Sequence, residues 1–242
     1  MEEVLKIAAV VAATTVGFTI AGVAGFGGGI VALPVLVWVF GIREAIPILS
    51  ISQLLSTASR VGLHRDGLNW PVVRLFALGA LPFSVLGSFI FVSIDTTVLV
   101  RILGVMMLLF VVYTWLPIGR NFNMKLWGFV PLGAGTGFGS AFLGIPGPFA
   151  AVFYLAYGLS ASAYIGTSAL GMGMIQVPKL IIFGASDLLS VRVLALGLGL
   201  GVIAAASAYL GRIILRRVPE HVFPKIITAL LLISGVVFLI KG

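Results

Sequence analysis

Ten apolar stretches follow one another along this chain, and two of them are too short to cross a bilayer. Read as runs broken by charge, proline or glycine, they span about 4–24, 28–40, 45–63, 71–92, 97–116, 126–142, 147–157, 161–183, 189–211 and 222–240. At 1.5 Å per residue, a helix over 28–40 reaches roughly 20 Å and one over 147–157 roughly 17 Å, against about 30 Å of hydrocarbon. Such pieces are half-helices, re-entrant segments or parts of broken spans, and non-helical backbone at that depth has to line a cavity or be buried in protein.

Composition leaves little room for another class. Apolar residues make up 60% of the 242 residues and charged residues only 9%, with a mean hydropathy of +1.22. A soluble domain covers its surface with about 25% charged residues; this one would expose apolar patches large enough to aggregate. The expected fold is therefore an all-α polytopic transmembrane bundle, with almost every residue in lipid or in a short loop beside it. The 31 glycines suit it, because they let membrane helices approach closely. The chain opens Met1-Glu2-Glu3, an acidic start unlike the basic one of a cleaved signal, so the first stretch reads as a retained helix.

The two short stretches hold matching places in two halves, 1–118 and 119–242, which overlay at an offset of about 118. Gly41-Ile42 falls on Gly158-Leu159, Arg74 and Gly79 on Arg192 and Gly197, and Leu68-Asn69-Trp70 on Ser186-Asp187-Leu188. Beyond the basic loop 212–219 the offset grows by six, and Arg101-Ile102-Leu103 meets Lys225-Ile226-Ile227. About five segments per half is an odd number, which inserts the second half upside down. That is the inverted-repeat plan of many secondary transporters, whose substrate site lies near midplane at broken helices.

The net charge of +8 comes from scattered short loops, not from a stripe, so a positive-inside distribution explains it and nucleic acid is not an expected partner. With the N-terminus on one side, the opposite side receives Arg65, Arg74, Arg120, Lys125, Arg212, Arg216, Arg217 and Lys225. The N-terminal side receives Lys6, Arg43, Arg101, Arg192 and Lys241. The richer side is the expected cytoplasmic one, in a multi-pass cell-membrane protein with both termini outside.

Two motifs carry possible chemistry. Gly25-Phe26-Gly27-Gly28-Gly29 stands between a long stretch and a short one, and Gly144-Ile145-Pro146-Gly147-Pro148 holds the same place in the second half. Glycine permits a sharp reversal and proline suits a first helical turn. Each motif marks a helix start whose free N–H groups and positive dipole end favour an anion. The competing reading is a turn that merely packs tightly. The candidates here are Gly27, Gly28, Gly29 and Gly147.

The second feature is polarity on the third stretch of each half. Ser52, Gln53, Ser56 and Arg60 occupy the first, with Ser52, Ser56 and Arg60 sharing roughly one face; Thr167, Ser168, Gln176 and Lys179 occupy the second. Arg60 and Lys179 fall within one residue of each other in the overlay. With no intramembrane acid nearby, the two cations suit a negatively charged guest. Otherwise they snorkel to the interface, and the hydroxyls bond within or between helices. Gln53 is the residue expected to line a path, because a buried amide needs partners.

Other classes lose ground. There is no cysteine, hence no disulfide or thiolate metal site, and no Walker sequence for an ATP engine. His64 and His221 have no partners spaced for a metal or a catalytic pair. No enzyme and no cofactor are expected. Asp95 reads as a cap for the next helix, and Tyr154, Tyr157 and Trp115 as belt or packing residues. The expected partners are a small anion and lipid, with self-association left open.

The run from Gly25 to Gly41, the polar stretch after it, His64-Arg65-Asp66-Gly67-Leu68-Asn69-Trp70, and the segment from Ala77 to Pro82 with Gly87 together resemble the TauE/SafE sulfite exporter family. The second half repeats the pattern in Gly166–Gly171, Gly184–Ser190, Arg192 and Gly197–Pro219, so the resemblance covers about 15–240. It implies a membrane transporter, mostly exporting, of small sulfur-containing anions such as sulfite or organosulfonates. The second half departs from the family's usual glycine cluster: its prolines leave fewer N–H donors at that turn.

Overall fold

At Gly25 the backbone takes φ +78°, a left-handed value that glycine adopts without strain, and a long helix ends there. The computed structural model describes residues 2–25, 28–115, 123–143, 147–214 and 222–241. Ten α-helices and no strands lie among them. They are α1 (Glu2–Ala24), α2 (Gly28–Phe40), α3 (Ile42–Leu63), α4 (Trp70–Ser93), α5 (Thr96–Trp115), α6 (Phe129–Leu143), α7 (Gly147–Ala156), α8 (Ala161–Ala185), α9 (Val191–Ile214) and α10 (Val222–Lys241). Most boundaries fall within a residue or three of the apolar stretches.

Four helices among the described residues are long and apolar enough to cross a membrane: Glu2–Gly22, Trp70–Ser93, Ala161–Ala185 and Val191–Gly211. The 22-residue α3 has the length as well, but its charged and hydroxylated residues make it far more polar. Large apolar side chains such as Trp38, Leu78, Phe89, Leu109, Val202 and Ile233 face outward. In a bilayer that surface meets acyl chains.

Small residues set the helix pairing. α4 lies along α6 and α1 against α9, while α3 is flanked by α8 and α9 and α4 also packs on α8. At Gly133 an added Cβ would fall on the carbonyl oxygen of Phe76, and at Gly22 on that of Ala208. These backbones touch because nothing projects between them. α5 pairs with α10.

Several helix ends are pinned by side chains. Asn69 Oδ1 accepts from Val72 N at 3.2 Å at the start of α4, and Asp95 Oδ1 from Thr97 N at 2.8 Å at the start of α5, as expected for Asp95. Arg43, at the start of α3, donates to the carbonyls of Phe91 (3.1 Å), Val92 (2.9 Å) and Ile94, the end of α4. A guanidinium there serves carbonyls that have no helical donor. Arg192 opens α9 within 3.8 Å of the Glu44 carboxylate and over the Phe40 ring. The starts of α3 and α9 and the end of α4 therefore share one end of the bundle.

Candidate functional site

The first helix breaks where its glycines predicted it. α1 stops at Ala24 and α2 starts at Gly28; α6 stops at Leu143 and α7 starts at Gly147. Gly28, Gly29 and Gly147 open their short helices, where the first N–H groups lack intrahelical acceptors. Gly27 and the Gly144–Pro146 turn lie outside the described residues.

The two buried cations bond to the ends of the helices that enter these breaks. Arg60 is 6% exposed and donates from Nη1 to the Gly25 carbonyl at 2.7 Å. Lys179 is fully buried and donates from Nζ to the Ser140 carbonyl at 2.9 Å, within the last turn of α6. Neither snorkels. Neither makes an ion pair among the described residues. Tyr164 adds a third such bond, Oη to the Ala24 carbonyl at 3.1 Å.

These bonds have an electrostatic consequence. A helix carries partial negative charge at its C-terminus and positive charge at its N-terminus. At the first break, Arg60 and Tyr164 occupy the carbonyls that end α1. The negative end is covered at these two carbonyls. A cation and a helix N-terminus together favour an anion in a dry medium.

The polar residues of α3 and α8 divide by partner. Gln176 donates from Nε2 to Oε1 of Gln53 at 2.7 Å, joining the two long polar helices. Ser52 donates back to Ile48 O and across to Gly197 O of α9. Ser168 donates to Ile165 O of its own helix. Thr167 Oγ1 accepts from Asn69 N at 3.0 Å and so anchors the start of α4. Ser56 is wholly buried and its hydroxyl has no partner among the described residues.

Sequence reasoning missed several participants. Tyr154, read as a belt or packing residue, is a packing one, fully buried against Phe76, Phe129 and Tyr164. Tyr164 and the carbonyls of Gly25 and Ser140 carried no local signal. Gly28 plays a packing part as well: an added Cβ would meet the Phe18 ring at 2.7 Å, so a larger residue there would disturb the α1–α2 hairpin before it blocked a ligand. His64 Nδ1 lies 2.9 Å from Ser162 Oγ, tying the end of α3 to the start of α8.

Helices of spanning length, a lipid-facing apolar surface and broken helices with buried cations at the breaks define a polytopic α-helical membrane protein of transporter type. The description of the sulfite exporter TauE/SafE family matches residues 9–238, and the chain belongs to that family. No curated protein and no solved structure matches it.

Proposed function

We propose that this chain is a secondary transporter that exports a small sulfur-containing anion, sulfite or an organosulfonate, across the cell membrane. The observation that carries the reading is the pair Arg60 and Lys179: two buried cations without a carboxylate partner among the described residues, each tied to a carbonyl at a helix end. A charge at the centre of a membrane helix costs about 3 kcal/mol on insertion scales, and a transient anionic guest offsets that cost.

In this reading residues 1–118 and 119–242 form inverted halves, and alternating access moves one half against the other. The exchange of helix partners supports it, since α1 packs on α9 as α6 packs on α4, and α3 on α9 as α8 on α4. The amides opening α2 and α7 hold the anion, the cations supply charge, and Ser56 and the Gln53–Gln176 pair line the path. No intramembrane Asp or Glu serves as a proton carrier among the described residues, so the anion leaves down the electrical gradient.

Purified protein in liposomes, loaded in turn with sulfite, sulfoacetate, thiosulfate, sulfate and chloride, tests this. Slow, saturable efflux selective for a sulfur oxyanion is expected. Large unselective currents would identify a pore, and no anion flux at all would end the reading.

A further inference from the structure

Arg60 and Lys179 are both buried, and each donates to one backbone carbonyl. A guanidinium has five N–H groups and an ammonium three, so both have donors to spare. Arg60 Nε has no partner among the described residues, and neither has the hydroxyl of Ser56, one turn before it on the same face of α3. Whether one anion can serve both cations depends on how far apart they stand.

The register of α3 on α8 gives that separation. Gln53 bonds Gln176, Thr57 stands against Gly173, and the His64 carbonyl lies against Gly166. The two helices are thus antiparallel. Arg60 is level with residues 169–170 of α8, and Lys179 is roughly 14 Å further along at 1.5 Å per residue. The carbonyls that they bond do not close this gap. Gly25 packs on the Tyr164 ring, further from Lys179 along α8 than the level of Arg60. α4 runs parallel to α8, with Phe76 against Gly171 and the Phe91 ring 5.3 Å from that of Phe183. Gly87 of α4 lies against Phe138 and Ala141 of α6, which puts Ser140 at the height of Lys179. The Gln53–Gln176 bond lies at a height between the two cations.

We propose that Arg60 and Lys179 serve two separate anion positions, and that the exported oxyanion passes from one to the other. This rests on the transport reading above. A hydrogen bond spans about 3 Å, so a sulfite ion bonded to one cation does not reach the other in this arrangement. The Arg60 position offers a guanidinium N–H and the Ser56 hydroxyl, donors suited to an anion with several oxygens. The Lys179 position offers an ammonium, which binds as a point charge.

The test is sulfite binding by calorimetry on the full chain, as wild type, Arg60→Gln and Lys179→Gln, with thermal melting to show that each is folded. The wild type should bind at two sites. Each single variant should keep one of them, with an affinity within about twofold of its wild-type value. Crystals of the wild type grown with selenite in place of sulfite give the same answer without any variant. Anomalous scattering should show two selenium positions more than about 10 Å apart, one beside each cation. A single sulfite site, loss of all binding in a folded single variant, or a single selenium position would overturn the proposal and leave the transport reading standing. A wild-type protein that binds neither sulfite nor thiosulfate would overturn the transport reading, and this proposal with it.

Discussion

Gln176 Nε2 donates to Gln53 Oε1 at 2.7 Å, joining a buried amide to a half-buried one 123 residues apart in sequence. Each amide sits well inside its helix. The bond ties α3 directly to α8 at mid-depth.

Removing both partners should therefore cost less than the two single losses added together. Gln53→Leu alone takes this acceptor from the buried Gln176 amide and should cost about 1–3 kcal/mol. The double Leu variant should lose clearly less than the sum, with a coupling of at least about 0.5 kcal/mol. Unfolding of the four proteins in detergent, arranged as a double-mutant cycle, measures this.

Thr167 separates structural from binding polarity. Its hydroxyl serves the Asn69 amide, which in turn caps α4. Thr167→Val should destabilise the protein by about 1–2 kcal/mol and leave the KM for anion efflux unchanged, while Thr167→Ser should restore stability. Melting curves and flux titrations on the same preparations give both readouts.

The helix contacts predict a sharp contrast between neighbouring glycines. Gly133→Ala places a methyl on the Phe76 carbonyl, whereas Gly135 has open space where its Cβ would be. Gly133→Ala should cost about 1–3 kcal/mol by forcing α4 and α6 apart, and Gly135→Ala should be neutral. Thermal melts of the two variants decide it.

Much of this architecture was readable from local signals. The helix ends follow from where glycine, proline and charge interrupt apolar runs, as at Gly25, Gly41 and Gly158, which all take positive φ. Arg60 and Lys179 stood out because a cation inside an apolar stretch is costly wherever the chain folds. Their partners could not be read. Gly25 O and Ser140 O lie 35 and 39 residues away, and any carbonyl could have served. Arg43 looked like a loop charge until the end of α4 came beside it. Thr167 looked like a ligand for the same reason that it makes a good anchor: a hydroxyl in an apolar helix must bond to something. Tyr154 could be read as either belt or packing because its burial depends on Phe76 of α4 and Phe129 of α6, which are distant in sequence.

If the anion leaves alone, its export carries charge. Each 100 mV of inside-negative potential should favour exit by about 2.3 kcal/mol per charge. Sulfite efflux from proteoliposomes should rise steadily as a potassium diffusion potential is made more negative. An electroneutral exchanger would show no such rise.

The buried cations carry the account, and replacing each by an uncharged donor isolates its charge. Arg60→Gln and Lys179→Gln can keep a hydrogen bond to the carbonyl at their break while losing the charge. Sulfite efflux from proteoliposomes, measured beside the melting temperature of each preparation, should fall at least tenfold in both variants, the equivalent of about 1.4 kcal/mol, with the melting temperature held. Efflux at the wild-type rate from either well-folded variant would contradict the claim that its charge holds the anion.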